Sequence, residues 1–252
     1  MTTQQALFEY CLRLGDTSLV LGQRLAEWCG HGPALEEDIA LTNISLDLIG
    51  QTRAFYTHAC TIENKGRTED DLAFLRSERD FRNVLLAEQP NGDFAQTLLR
   101  QFLLSSFQVL QYSGLSNSKD ETLSALAQKS LKEVTYHRRH SADWVVRLGQ
   151  GTDESRRRML SAIEELWMYV DDLFDSDETD QTLLKAGIAI DMAPMRKEWN
   201  MTVGEVFKEA GLSVPEKHYS VRGSREGRHT EHLGHLLAEM QSLHRAHPGA
   251  EW

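Results

Sequence analysis

Proline occurs at only five positions in this chain, 33, 90, 194, 215 and 248, which leaves residues 34–89 and 91–193 free of it. A proline inside a helix removes a hydrogen bond and clashes with the preceding turn, at a cost of about 3 kcal/mol. Gaps of this length therefore leave room for long helices, and no segment shows the sustained period-2 alternation that founds a sheet. The most strand-like piece is only Ile188-Ala189-Ile190. Residues 4–28 carry Ala6, Leu7, Tyr10, Cys11, Leu14, Leu19, Leu21, Leu25 and Trp28, mostly three or four apart, with Gly15 the one place where the helix is open to interruption. Residues 34–60 are apolar on more than one side, which predicts a deep position.

A polar loop at 61–70 and a shorter helical piece at 71–88 follow. The turn Gln89-Pro90-Asn91-Gly92 places Asp93 to cap a helix over 94–114. The next helix covers 119–147, starts near Ser118 or Asp120, and stops at Gly149-Gln150-Gly151. A helix at 153–174 runs into the acidic residues Asp171, Asp172, Asp175, Asp177, Glu178 and Asp180, read as a solvated helix end or a docking site for a basic partner. Residues 181–252 hold more turns and one further helix at about 229–245. No Gly-, Ser- or Pro-rich linker divides the chain. The expectation is an all-α fold in a single domain, 1–252, with a four-helix bundle core at about 4–175 and additional C-terminal helices in an extension at about 181–252.

Charge and composition narrow the function. With 27 Lys+Arg against 38 Asp+Glu, the net charge is −11, which argues against nucleic acid or an anionic membrane as the main partner. No apolar run approaches the roughly 18–20 residues of a membrane helix. The start, MTTQQALFEY, lacks the basic and apolar regions of a secretory signal. The three cysteines, Cys11, Cys29 and Cys60, are far apart and form no CxxC pair, so they read as small buried hydrophobes in a reducing compartment. A cytoplasmic location is expected.

A long four-helix bundle raises the question of a di-metal centre. Such centres take one Glu from each of two helices and a Glu-x-x-His pair from each of the other two, all pointing inward. Here the pairs in register read Leu48-x-x-Gln51 and Val134-x-x-His137, and neither 17–26 nor 94–119 contains Asp or Glu. A rotated site could draw on Asp47, Glu133 and His137 for one metal. The plainer reading is a buried polar network of Asn43, Asp47, Gln51, Glu133 and His137 filling the same space.

The stretches LRLGDTSLVLGQRLAEWCGH, LDLIGQTRAFY, AEQPNGDFAQTLLRQF, KEVTYHRRHSADWVVRLGQGTDES and HTEHLGHLLAEMQ resemble the C-subunit family of bacterial phenylacetyl-CoA epoxidases across nearly the whole chain. The resemblance implies a ferritin-like fold, similar to that of the catalytic A subunit, whose motifs resemble Asp-Glu-x-Gly-His and Lys-Glu-Glu-x-x-His. Asp47, Leu48, Gly50 and Gln51 match the first motif's Asp, ligand Glu, Gly and His. Glu133, Val134 and His137 match the second motif's first Glu, ligand Glu and His. The departures fall on the ligands. The resemblance thus implies a non-catalytic structural subunit of a multicomponent, NADPH-dependent monooxygenase that epoxidises the ring of phenylacetyl-CoA in aerobic phenylacetate degradation. It would form a hetero-oligomer with the A subunit, hold no cofactor itself, and leave the di-iron to that partner. The alternatives are an active ferritin-like di-iron oxygenase or metal-binding protein in its own right, and a free-standing homodimeric binding protein.

Three further groups of residues could carry chemistry. His229, Glu231, His232 and His235 form the densest histidine cluster, expected to serve packing or partner contact rather than a metal. Glu27 and His31 flank Trp28 as an acid/base pair or a helix cap. Arg138, Arg139 and His140 are placed to hold a CoA phosphate or to make surface salt bridges.

Overall fold

The computed structural model describes residues 1–250, so the last two residues of the expected 1–252 unit lie outside it. Four long helices dominate: α1 (Thr3–Ala26), α2 (Leu35–Glu63), α5 (Phe94–Leu115) and α6 (Glu121–Gln150). Between and after them come α3 (Glu69–Phe74), α4 (Leu85–Glu88), α7 (Asp153–Leu166), α8 (Glu178–Ala186), α9 (Met192–Glu209), α10 (Glu231–Met240) and α11 (Ser242–Ala246). Among the described residues there is no strand.

The helix starts are written locally. Asp93 accepts from the Gln96 amide at 3.0 Å and Asp120 from the Leu123 amide at 2.7 Å, each satisfying a donor that its helix leaves free. Gly15 does not interrupt α1. It lets α2 approach, since a Cβ there would lie 2.4 Å from the Tyr56 ring. Ser45 donates to the Gly22 carbonyl and Thr52 to the Gly15 carbonyl, so α1 and α2 run antiparallel. Ser124 and Gln128 reach the Ser116 carbonyl while Ser105 meets Ser141, so α5 and α6 do too. The core is filled by Leu21, Leu41, Leu48, Phe55, Leu98, Phe102, Leu123 and Val134, all at 0% exposure.

Because α2 ends beside the start of α1 and α5 begins beside its end, residues 64–93 must travel the full length of the bundle. Gln4 reaches Ile62 at one end, and Asn91 donates to the Arg24 carbonyl at the other. A continuous helix over 71–88 does not form in this strap. Its backbone amides are taken by side chains from elsewhere: Arg82 N–H donates to Asp16 at 2.7 Å, Val84 N–H to Thr17 at 3.3 Å and Leu85 N–H to Asp172 at 2.9 Å. Helical pairing would forfeit those bonds.

The C-terminal part lies over the strap. Gln241 donates to the carbonyls of Ala73 and Arg76, and Arg245 to that of Arg76. The helix expected at 153–174 tightens at Leu166 into a 3₁₀ segment, Trp167–Phe174. The one expected at 229–245 divides into α10 and α11. The segment expected to hold more turns and one further helix also contains the 18-residue α9. Pro194 sits in its first turn, where the backbone donor it lacks has no helical partner anyway.

Most of the acidic run is neither solvated nor free, and of its members only Glu178 is exposed, where it meets the N-terminal amine. Asp171 pairs with Arg196, His218 and Arg222, and Asp175 with Arg222. Asp177 and Asp180 clasp Arg13 of α1, at 2.6 and 3.0 Å. Asp172, fully buried, accepts from the amides of Leu85, Gly223 and Ser224. Burial works against the charged form of Asp171, but Arg196, Ser220 and His218 outweigh it and hold the carboxyl below its usual range.

Candidate functional site

The α2/α6 seam brings the sequence-predicted residues to one level of the bundle. Leu48 and Val134 are at 0% exposure and contribute only hydrocarbon. Gln51 donates to Glu133 at 2.9 Å and accepts from the Tyr112 hydroxyl of α5 at 3.2 Å. One turn along, His137 Nε2 lies 3.0 Å from Asp47. The polar residues therefore form two separate chains rather than one network: Tyr112, Gln51 and Glu133, and beside it Asp47 and His137. Gln51 and His137 are buried, whereas Glu133 and Asp47 are half-buried at the seam. Asn43 lies outside both. It is exposed and has no side-chain hydrogen bond among the described residues, because its helical position turns it to the outer face of α2.

Tyr112 is the member that the sequence does not announce. It sits within an apolar helix and reads as core, but its hydroxyl completes the amide of Gln51. Burial, followed by the nearby charge of Glu133, raises its pKa above the usual tyrosine value.

A di-iron pair does not fit this interior. The α1/α2 register puts Ser18 at the height of Leu48, and Ser18 and Tyr112 stand where α1 and α5 would have to supply carboxylates. The rotated single-metal set does not converge either, since Glu133 is turned to Gln51 and Asp47 to His137. Among the described residues, no group of three His, Cys, Asp or Glu side chains is placed to hold a metal ion.

Further seam contacts tie α2 to α6. His140 meets Glu37 at 2.9 Å and His58 meets Asp120 at 3.1 Å. His140 is thus committed to α2, and Arg139 lies over the Tyr136 ring at 5.7 Å, so two members of the expected Arg138, Arg139 and His140 group are turned to separate partners rather than to a common anion.

The C-terminal histidine cluster also separates. His229 turns inward, Glu231 and His235 are exposed, and His232 offers its backbone carbonyl to Arg24. His229 Nδ1 lies 2.8 Å from the fully buried Glu88, and Nε2 lies 3.0 Å from the Phe81 carbonyl. Glu88 also accepts from Thr230 and Asn83. This cluster locks the strap to the C-terminal segment. Burial lowers the pKa of His229, but the contacts with Glu88 and Phe81 outweigh it and leave it above 6.5. The resulting stabilisation is fully present below pH 6.5, the unfolded value, and is lost as pH rises through the higher folded value. Urea midpoints measured from pH 6 upward should therefore fall in the wild type, and that slope should be reduced in His229→Gln.

Glu27 pairs with Arg24 and Asn91 while His31 bonds the Cys29 carbonyl, so these two residues cap and do not cooperate. Cys11 is buried as expected, Cys60 partly so, and Cys29 is exposed at the turn after α1.

Known proteins share this sequence along its full length. The whole chain, residues 1–252, matches the family model described as "Phenylacetic acid catabolic protein". It is 49% identical over 246 residues to the C subunit of the 1,2-phenylacetyl-CoA epoxidase of Escherichia coli (strain K12), covering 98% of this chain and 99% of that protein. The resemblance carried by the motif stretches is thereby borne out: the chain belongs to the phenylacetic acid catabolic protein family.

Proposed function

We propose that the chain is a non-catalytic structural subunit of a phenylacetyl-CoA epoxidase. In this role it binds and stabilises a di-iron A subunit in aerobic phenylacetate degradation, and holds no metal of its own. The observation that carries the reading is the pair Leu48 and Val134, fully buried hydrocarbon at the two positions where a di-iron bundle needs glutamates. The near-complete match to a protein named as one subunit of an epoxidase supports the partnership. A ferritin-like fold is part of the proposal. Two antiparallel hairpins joined by one long crossover are the connectivity of that class. No helix among the described residues is long and apolar enough to cross a membrane, which accords with a cytoplasmic assembly.

The experiment is co-expression with the A subunit of the epoxidase, followed by purification through a tag on this chain and metal analysis of each separated subunit. The expected result is a stable complex with iron in the A subunit alone. About two iron ions per copy of this chain would establish the rival reading, an active di-iron protein.

A further inference from the structure

The side chains of His229 and Glu88 are 3 and 0% exposed. Both ring nitrogens of His229 face acceptors: Nδ1 lies 2.8 Å from Glu88 Oε2, and Nε2 lies 3.0 Å from the Phe81 carbonyl. A neutral imidazole carries one N–H and one lone pair, so in either tautomer a lone pair would face another acceptor. A doubly protonated ring donates to both. The other partners of Glu88 put the extra proton on the ring rather than on the carboxyl. The Asn83 amide donates to Oε2 and the Thr230 backbone N–H to Oε1, so both oxygens receive donors, as those of an ionised carboxylate do. The α2/α6 seam makes no such demand. His137 and His140 each bond a carboxylate through Nε2 and leave Nδ1 without a partner among the described residues, a contact that a neutral ring also makes.

The charges around the pair leave His229 as the counter-ion of Glu88. Arg24 of α1 bonds the Glu88 backbone carbonyl and pairs with Glu27, and Arg82 of the strap bonds the Phe81 carbonyl and pairs with Glu9. Asp16 of α1 adds to the pull on the ring proton. Tyr169 of the 3₁₀ segment is half-buried, and burial followed by the charge of Glu88 raises its pKa, so it stays a neutral phenol. Next to His229 in the chain, Arg228 is paired with Glu226, and Glu231 is exposed.

We infer that Glu88 and His229 form a proton-held latch: the imidazolium closes the C-terminal segment onto the strap, and loss of its proton lets that segment open while the bundle stays folded. A neutral ring forfeits one of its two bonds and leaves the buried Glu88 without a counter-ion. Thr230, the N-cap of α10, donates to the same carboxylate, so the disturbance reaches the helix that buries Leu233, Leu236 and Leu237. The closed form holds the proton more tightly than an open one whose ring has the ordinary value of 6.5. Opening is therefore suppressed below pH 6.5 and rises as pH climbs through the higher closed-state value. The full gain is the ratio of the two acid constants, about tenfold for values one apart.

The test uses the full-length chain in two measurements. Nitrogen NMR of the histidines, with His229→Gln to assign the signal, should show protons on both His229 nitrogens at about pH 7.5. A bare Nδ1 or Nε2 in the folded chain at that pH overturns the inference. Glu88→Gln keeps the shape and removes the charge, and should leave the His229 ring with a single proton at the same pH. A ring still doubly protonated in that variant shows that Glu88 does not hold the proton, and overturns it too. If Glu88→Gln does not fold, the wild-type spectrum still decides. Hydrogen exchange read by mass spectrometry from about pH 6 to about pH 9 reports the opening. Peptides from 229–240 should gain about tenfold in exchange beyond what hydroxide catalysis supplies, while those of α1 and α5 gain nothing beyond it. His229→Gln should abolish that extra gain. His235→Gln, at an exposed position of the same cluster, should keep it. Wild-type exchange over 229–240 that follows hydroxide catalysis alone, or an extra gain shared equally by α1, would show that the segment does not open on its own, and the latch would be wrong.

Discussion

Replacing Asp16 with asparagine should cost the chain about 3–5 kcal/mol, the range for removing one partner of a buried ion pair. Asp16 lies at 0% exposure in the middle of α1. It is the common acceptor for the Arg76 guanidinium, the Tyr56 hydroxyl and the Arg82 backbone amide. Arg76, itself buried, also lies 4.3 Å from the Phe81 ring centroid. Burial alone would lower the Arg76 pKa, but Asp16 beside it outweighs burial and holds the guanidinium above its usual value. Tyr56 is raised by burial first and by Asp16 second, so it stays a neutral donor. Asparagine keeps the shape but removes the charge and one acceptor, leaving a cation in the interior.

The consequence extends beyond one pair, because Arg76 and Arg82 belong to the strap that carries the chain from the end of α2 to the start of α5. Chemical denaturation should show a lower midpoint in Asp16→Asn. The double variant Asp16→Asn with Arg76→Met should recover part of the loss, since no unpaired cation remains. A double variant as unstable as the sum of the two singles would show that the pair contributes nothing as a pair.

The long helices are legible because their information is local. Apolar spacing, the aspartates at 93 and 120, and the proline-free gaps all act within a few residues. The strap is not legible, because its amides are captured by Asp16, Thr17 and Asp172 from distant parts of the chain. A helical pattern at 71–88 loses to those bonds. Asp16 lies one residue before the 17–26 stretch in which an inward carboxylate is expected, and a lone aspartate within LRLGDTS is the available signal. The acidic run looks solvated because the sequence does not show that Arg13, Arg196 and Arg222 fold back onto it. At the candidate site, the placement of Leu48, Gln51, Val134 and His137 on one seam follows from their spacing. The split into two polar chains does not, because it depends on which way Asp47 and Glu133 lean at a half-exposed edge.

Restoring the missing motif residues with Leu48→Glu, Gln51→His and Val134→Glu should give no stoichiometric iron, and should lower stability by more than about 4 kcal/mol. Leu48 and Val134 are both at 0% exposure, so each new carboxyl enters a dry interior and either stays protonated or costs the desolvation of a charge. Losing Gln51 leaves Glu133 without its donor and Tyr112 without its acceptor. The metals that could offset this need further carboxylates from α1 and α5, where Ser18 and Tyr112 stand. His137 would also have to give up Asp47. Denaturation and metal analysis of the purified triple variant check both halves. Two irons per chain would show that the register assigned to these helices is wrong. A variant as stable as the wild type but without iron would show that the interior at Leu48 and Val134 is open to water, and the absence of a metal would then need a cause other than the hydrocarbon placed there.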